Sequence, residues 1–539
     1  MQRTRRVSVF LMAGLLIIGA GIFANEIGLT LNAGWGKARI AILVLGLLVG
    51  LFPWVPWKKS AASEKLIQSD LFAFPALLLV IAVYLWFITV SRDTTSSYYA
   101  LLASSFQQGE LSLSLRPDPA LLALENPYDP TARQGIKVPL DLSLYNGKFY
   151  LYWGSAPSLL LTPVKMLFHG QIPDVYLLFV FVCGIFLSQY LLIMHLWERY
   201  FPAIPKWVVI LSIFVAGFTS PTVWLLTRPK IYEAAIAGGQ FFFIAGIFLV
   251  FTALDRPSPS SWRLVLAGMF WSLAVGTRSV LVFPVVFMTL TVVAWIYKLY
   301  GRSLLKLLTG LIPLGVPLAV GAVAFAWYNW ARFGSIAETG FNYAMAGPYL
   351  QEHLNELFLP AYIFQNLYNY LLHPFIVEGS FPFLYAVRGL TESVLPGIAL
   401  PKFYAAQAIT GVLSAAPFTI FAIAPIVQLL KQLFKKNKAG PSDGSQVFSF
   451  HWITLSLAGS FLLSLGCLLV FFWAAMRYAE DFIPMLTLLS IIGFWQGYRS
   501  LQGSKKSKVF NILGTALAGI SIIAGILLAL SYFFTNNLL

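Results

Sequence analysis

Residues 71–100 read LFAFPALLLVIAVYLWFITVSRDTTSSYYA. The first twenty of these residues contain no charged side chain. At a rise of about 1.5 Å per residue, such a helix crosses the ~30 Å hydrocarbon core of a bilayer. Arg92 and Asp93 follow it at once, so the segment predicts a membrane-spanning helix with a charged group at its mouth.

Similar apolar segments recur along the whole chain of 539 residues, which is 58% hydrophobic and only 11% charged. An ordinary soluble domain carries about 25% charged residues, so this composition excludes one. The formal charge of +15 does not indicate nucleic-acid binding, because the excess positive charge lies in short loops between apolar segments. We therefore predict an all-α, polytopic membrane protein of about thirteen spans. The predicted spans are 7–24, 38–57, 71–90, 175–195, 207–226, 234–253, 264–277, 279–297, 308–328, 406–430, 452–473, 482–498 and 509–534.

Two features leave the number of spans open. Gly276-Thr277-Arg278 is either a tight turn between two spans or a break in one long helix over 264–297. The segment 155–168 is apolar but short and contains Pro157 and Pro163, which favours an interfacial or re-entrant helix.

The distribution of Lys and Arg predicts the orientation of the chain, since cytoplasmic loops carry an excess of both. With the N-terminus in the cytoplasm, every cytoplasmic loop is basic. The two long polar segments, 91–174 and 329–405, and the C-terminus then lie outside. Two large segments on one face suggest that the protein acts there.

Asp93 is the first candidate for chemistry. A carboxylate at a membrane surface must be solvated, paired or used. Asp followed by Ser and Thr residues is also a helix N-terminal signal, and capping of the next helix is an equally good explanation of it.

A second candidate group follows in the first long segment. Asp141 and Lys148 flank Tyr145-Asn146-Gly147, and Asn-Gly indicates a β-hairpin turn. The aromatic residues after the turn suit sugar stacking or, more simply, a position at the headgroup level.

Charged side chains recur at the outer ends of several spans. The side chain of an arginine at a membrane edge commonly extends to the lipid headgroups. Several arginines on one side favour a phosphate site instead, because guanidinium binds phosphate with two hydrogen bonds. These residues are Arg228, Lys230, Glu233, Arg278, Arg332, Arg477, Glu480 and Asp481.

The order of these motifs over residues 71–345 resembles the C-type (GT-C) integral-membrane glycosyltransferases, including the protein O-mannosyltransferase-like and aminoarabinose-transferase-like families. The elements that carry the resemblance are Asp93, Tyr98 and Gly109 after a span, the segment from Gly147 to Lys165, the Gly276-Thr277-Arg278 break, and Arg332-Phe-Gly-Ser. The family often has a second acidic residue where this chain has Thr94. This departure from the family pattern speaks against a bound divalent metal. No cofactor is certain from the sequence, and a divalent metal remains an open alternative.

We predict four parts: an anchoring helix pair over 1–70, a catalytic core over 71–345, a second outer loop over 346–405 and a four-helix part over 406–539. The resemblance covers the catalytic core. It implies a polyprenyl-phosphate sugar donor, a lipid, glycan or protein acceptor, membrane lipid as surroundings, and a bacterial plasma membrane. Asp93 is the expected base, Arg278 the expected phosphate ligand and Arg228 or Arg332 its alternates. Glu233, Asp141, Lys148 and Tyr98 are expected to bind substrate.

Two other functions remain open from the residues. One is a flippase or transporter of lipid-linked saccharides, and the other is a ligase or polymerase of surface polysaccharide. Charges at the outer ends of spans, rather than in their middles, favour an enzyme over a transporter.

Overall fold

The structure is a computed structural model that describes residues 71–91, 96–139, 141–167, 172–256, 258–345, 350–397, 399–434 and 444–536, with a few isolated positions between 14 and 47. The predicted anchoring pair over 1–70 and the candidate base Asp93 lie outside these ranges.

Helices dominate the described chain, and we number them in sequence order. The helices are α1 (Phe74–Val90), α2 (Tyr98–Gln107), α3 (Pro119–Leu122), α4 (Ala156–Leu167), α5 (Asp174–Tyr200), α6 (Lys206–Phe218), α7 (Thr222–Leu225), α8 (Ile231–Leu254), α9 (Ser261–Thr277), α10 (Val282–Tyr300), α11 (Leu304–Phe333), α12 (Ile363–Leu371), α13 (Val412–Ala415), α14 (Ile423–Phe434), α15 (Gly444–Leu469), α16 (Ile483–Ser500) and α17 (Lys505–Asn536). Short 3-10 helices lie at Leu71–Ala73, Ser279–Leu281, Phe341–Tyr343, Leu350–Glu356, Pro360–Tyr362, Pro417–Ala422 and Met476–Asp481.

Eight short strands form four two-stranded sheets within the described residues. The strands are β1 (Ser143–Tyr145), β2 (Lys148–Tyr150), β3 (Ile376–Val377), β4 (Leu384–Tyr385), β5 (Val387–Arg388), β6 (Ala405–Ala406), β7 (Ala408–Ile409) and β8 (Trp473–Ala474). β1 and β2 form the predicted hairpin, in which Tyr145 pairs with Lys148. Asn146 and Gly147 have φ values of 48° and 70°, as a tight hairpin turn requires.

Seven helices in the described residues are long and apolar enough to cross a membrane. They are Asp174–Tyr200, Lys206–Leu225, Ile231–Leu254, Ser279–Tyr300, Leu304–Phe333, Ser449–Leu469 and Lys505–Phe533. Phe74–Val90, Ala156–Leu167 and Pro417–Lys431 are apolar but shorter. The chain is thus a mostly helical integral membrane protein, while the prediction of thirteen spans is not confirmed.

The helix within 264–297 is interrupted at Arg278, as both alternatives for this segment predicted. Arg278 has extended backbone angles (φ −144°, ψ 102°) between the end of α9 and the 3-10 turn that leads into α10. The loop after the β1–β2 hairpin lies directly on this break. A Cβ added to Gly154 would come within 2.2 Å of the Gly276 carbonyl oxygen.

Helix α8 lies at the centre of the bundle, between α5 and α9. In its most apolar stretch 83% of the residues are buried, against 6% in α11, which packs on the far side of α9. Small residues allow these close contacts, as is typical of membrane helices. A Cβ at Gly268 of α9 would lie 2.6 Å from the Leu314 carbonyl oxygen of α11.

We predict that Gly268→Leu destabilises the protein by about 1–3 kcal/mol, because the added side chain forces α9 and α11 apart. Gly315→Leu is the matched control, since nothing lies within 4 Å of the Cβ position at Gly315. Thermal unfolding in detergent, followed by intrinsic tryptophan fluorescence, measures both. Equal melting temperatures for the two variants would contradict this account of the α9–α11 contact.

Candidate functional site

Four separated parts of the chain bring charged side chains together. They are Asp141 just before β1, the start of α8, the break at Arg278, and the 3-10 helix Met476–Asp481 that precedes α16. Each lies at the end of a helix or strand rather than in its middle. We call the residues they contribute (Asp141, Lys230, Tyr232, Glu233, Arg278, Arg477, Tyr478 and Asp481) the charged cluster.

Asp141 is held in place by a tyrosine. It has a φ of 67°, which non-glycine residues adopt infrequently, and its Oδ1 accepts a hydrogen bond from the Tyr232 hydroxyl. Burial raises the pKa of Asp141 to about 6, with the positive charge of Arg477 opposing and the negative charge of Glu233 adding to this shift. The carboxyl group therefore changes charge close to neutral pH.

Arg477 lies beside this pair. Its guanidinium carbon is 4.7 Å from the ring centre of Tyr232 and 5.0 Å from that of Tyr478. Nη1 donates to the Gln407 side-chain oxygen, while buried Nε has no hydrogen-bond partner in the described part of the chain. An arginine with an unused donor is suited to binding an anion.

Glu233 is 1% exposed, and its Oε2 also has no hydrogen-bond partner among the described residues. Arg228 lies five residues earlier, before α8 begins, and its guanidinium carbon is 5.3 Å from the ring centre of Tyr532. Its buried Nε likewise has no hydrogen-bond partner in the part of the chain that the structure describes. Buried polar groups are normally hydrogen-bonded, so these atoms are suited to contact a polar substrate group.

Arg278 has a protein partner. Its Nε lies 2.7 and 2.9 Å from the two carboxylate oxygens of Asp481, and Nη2 also bonds Asp481. The Arg278 guanidinium carbon is 5.4 Å from the ring centre of Tyr478, so Arg278 and Arg477 share one ring. The predicted phosphate ligand is thus beside the cluster but largely engaged by Asp481.

The first turn of α2 contacts the same region through Asp174. The backbone N–H groups of Tyr98 and Tyr99 donate to the Asp174 carboxylate at 3.2 and 3.3 Å, and Ser96 Oγ donates to it at 2.5 Å. Burial is the main cause of a raised pKa at Tyr98, and the negative charges of Asp141 and Asp174 raise this pKa further. Asp174 thus holds the first turn of α2 in place.

Two predicted substrate ligands lie elsewhere. Lys148 pairs at 3.5 Å with Glu110, and both side chains are more than half exposed on the hairpin side. Arg332 is buried and donates to the Leu151 carbonyl oxygen at 2.7 Å and to Asn329 Oδ1 at 2.8 Å. These bonds tie the loop after β2 to α11. Arg332 also lines a cleft of about 270 Å³ with Trp153, Gly154, Tyr328 and others.

The sequence did not single out Tyr232, and it named Arg477 and Asp481 only as charges at the end of a span. Tyr232 stands between Lys230 and Glu233 at a helix start, which was the available signal. The described residues contain no group of three or more His, Cys, Asp or Glu side chains that could hold a metal ion. The predicted possibility of a divalent metal stays a prediction.

No protein-family model matches the chain, and no curated protein matches it. Among solved structures, it is similar to the oligosaccharyltransferase of Archaeoglobus fulgidus in the apo form, with a TM-score of 0.43 and 12% identity over 85% of this chain and 56% of that one. It is also similar to the Archaeoglobus fulgidus oligosaccharyltransferase AglB in complex with an inhibitory peptide and a dolichol-phosphate, with a TM-score of 0.42 and 12% identity over 86% of this chain and 56% of that one.

The chain therefore spans little more than half of the length of the solved chains it matches. Both of these structures are of an oligosaccharyltransferase.

Proposed function

We propose that this protein is a membrane glycosyltransferase that moves a sugar from a polyprenyl-phosphate donor to an acceptor outside the cytoplasm, with inversion at the anomeric carbon. The observation that carries the proposal is the charged cluster. The Asp141 carboxylate, held by Tyr232, lies near Arg477, whose buried Nε has no hydrogen-bond partner among the described residues. Such a site suits a substrate that combines a hydroxyl nucleophile with a phosphate leaving group.

In the proposed reaction the acceptor hydroxyl oxygen attacks the anomeric carbon. The bond from that carbon to the phosphate oxygen breaks, the hydroxyl proton passes to a carboxylate, and the lipid phosphate leaves with the bonding electrons. One carboxylate base is enough, because phosphate is a good leaving group and needs little protonation. This differs from the two carboxylates that glycoside hydrolysis requires.

Arg477 is our candidate for binding the leaving phosphate, and Lys230 and Arg228, just before α8, are further candidates. Arg477 Nε is buried and unpartnered within the described chain, so a phosphate oxygen can take that bond without displacing another. Charge that develops on the leaving oxygen is stabilised most where water is excluded. Arg278, which the sequence favoured, stabilises the site mainly through Asp481.

Asp93 remains the proposed base, and one observation supports this role over helix capping. The first N–H groups of α2 are already bonded by Asp174, so Asp93 is not needed for them. Asp141 is the alternative base. Glu233 and Tyr98 are then placed to contact the sugar or the acceptor, and the acceptor itself is a lipid, a glycan or a protein.

A flippase is the main alternative. Charges that gather at the ends of α8, α9 and the segment before α16 favour chemistry at one surface over a pathway through the bundle. Sugar transfer by detergent-solubilised protein tests this, because transport has no meaning without a sealed membrane. Linkage analysis of the product separates transfer of one sugar from joining of polysaccharide blocks.

The proposal includes the predicted orientation: a bacterial plasma membrane, a cytoplasmic N-terminus and an external C-terminus. It rests on the basic residues of the predicted cytoplasmic loops.

We predict that Asp93→Asn lowers the rate of sugar transfer by about 10²–10⁴-fold, the usual contribution of a general base. Purified protein with radiolabelled polyprenyl-phosphate sugars measures this, and an unchanged elution volume and melting temperature control for folding. Asp93→Glu keeps the charge and should retain more activity than Asp93→Asn. Full activity in Asp93→Asn would move the base to Asp141.

We predict that kcat/KM rises with pH through about 6, because ionised Asp141 is needed to hold the Tyr232 hydroxyl and to face Arg477. The pKa of Asp141 is raised to about 6, so at pH 5 only about a tenth of the molecules carry the charge. A pH profile of wild type against Asp141→Asn tests the assignment. The same rising limb in Asp141→Asn would show that another group titrates there.

We predict that Arg477→Gln raises KM for the donor or lowers kcat by about 10–10³-fold while the protein stays folded. Arg332→Gln is the matched comparison: it breaks the bonds to Leu151 and Asn329, and it should lower the melting temperature more than the activity of the folded fraction. Steady-state kinetics and thermal unfolding of both variants check this. The reverse pattern would place the phosphate at the Arg332 cleft.

A further inference from the structure

Helix α12, in the second long segment, has its polar side inside and its apolar side outside. Gln365, Asn366 and Asn369 are at most 1% exposed, whereas Phe364 and the following Leu372 are each 53% exposed. A helix on a protein surface in water shows the opposite arrangement. This reversal needs an explanation from the surroundings of the helix.

The buried polar face is fully used by the protein. Gln365 donates to the Leu390 carbonyl oxygen at 2.6 Å and accepts from the Val394 N–H at 3.0 Å. Asn369 donates to the Leu390 carbonyl and the Tyr404 hydroxyl, both at 3.0 Å. These bonds fix the rotation of α12, so the apolar face cannot turn inward without breaking them.

Asn366 fixes the position of α12 relative to the end of α15. Its side-chain nitrogen donates to the carbonyl oxygens of Leu468, Leu469 and Phe471 at 2.9, 3.0 and 2.7 Å. Leu468 and Leu469 are the last residues of the candidate span Ser449–Leu469. Because a span ends at the membrane surface, α12 lies at the level of that surface.

The hairpin of β3 and β4 continues the apolar surface. Its exposed side chains include Ile376 at 48%, Val377 at 68%, Phe381 at 49% and Phe383 at 43%, and β4 contacts α17, another candidate span. From Ile363 to Phe383 the sequence holds two acidic or basic residues, the buried His373 and Glu378. We call the exposed side chains of α12 and this hairpin the apolar shelf.

We propose that the apolar shelf is inserted into the outer surface of the lipid bilayer, so that residues 363–383 form a membrane-embedded part of the second segment rather than a loop in water. Three observations agree on lipid as the occupant: the level at which α12 meets the end of a span, the lack of charge, and the contact with α17. An exposed apolar surface of this extent is costly in water. This inference does not depend on the proposed enzymatic function.

Spin labels test the proposal in the full-length chain. Cys183 and Cys467 are first replaced by alanine, and single cysteines are introduced by Phe364→Cys, Leu372→Cys and Val377→Cys. The labelled protein is reconstituted into phosphatidylcholine–phosphatidylglycerol vesicles, and collision of each label with oxygen and with a water-soluble nickel complex is measured. Oxygen concentrates in lipid and the nickel complex in water.

The matched controls are Val320→Cys on the exposed side of α11 and Glu392→Cys on the loop that bonds the polar face of α12. We expect labels on the apolar shelf to favour oxygen, as at position 320, while the label at 392 favours nickel. Three label sites keep the test valid if one variant fails to fold.

Two outcomes would overturn the proposal. Labels at 364, 372 and 377 that favour nickel, as at position 392, would place the shelf in water. Labels that are immobile and protected from both reagents would show that a second copy of the chain or another protein covers it.

Discussion

The ion pair between Arg278 and Asp481 is the interaction on which the arrangement of the site depends. It joins residues 203 positions apart, one at the break between α9 and α10 and the other just before α16. Both side chains are almost fully buried, and removing one partner of such a pair leaves an uncompensated charge at a cost of about 3–5 kcal/mol. The pair therefore holds two halves of the protein in one relative position, and Arg477 and Tyr478 take their places from it.

The central position of α8 serves the same arrangement. This helix is buried on most sides, and its first turn contributes Tyr232 and Glu233 to the charged cluster. Further along the helix, the Gln240 side chain donates to the Asp481 carbonyl oxygen at 2.9 Å. Glu480, next to Asp481, accepts from the Thr222 hydroxyl at 3.0 Å. Most charged groups near the cluster are thus paired with other groups of the protein. Arg477 Nε and Glu233 Oε2, in contrast, are among the buried polar atoms that have no hydrogen-bond partner within the described part of the chain.

The same physical rule explains the apolar shelf. At both places the chain forms most of the hydrogen bonds of its own buried polar groups. The buried polar atoms left over at the charged cluster suit an anion, and the exposed apolar side chains of the shelf suit lipid. A second segment that enters the bilayer surface would place its ends close to the cluster side of the bundle, since β6 after it pairs with β8 just before Met476–Asp481. The two sites are linked through this short parallel pair.

The sequence by itself determined that the chain is a helical membrane protein, because the length and hydropathy of each apolar segment are local properties. It also determined the β1–β2 hairpin, since Asn146-Gly147 requires nothing beyond its own backbone preferences. It pointed to most of the charged residues and to the helix break at Arg278.

Only the tertiary structure decided which of these charged residues contact one another. Arg278 forms an ion pair with Asp481, and Lys148 forms one with Glu110. Arg332 donates hydrogen bonds to Leu151 and Asn329. Asp141 accepts a hydrogen bond from Tyr232 and lies near the charge of Arg477. The partners Asp141–Tyr232, Leu151–Arg332 and Arg278–Asp481 lie 91, 181 and 203 residues apart, and the reversed face of α12 depends on the C-terminal end of α15 in the same way. Only packing brings such distant residues together, and no local pattern records it.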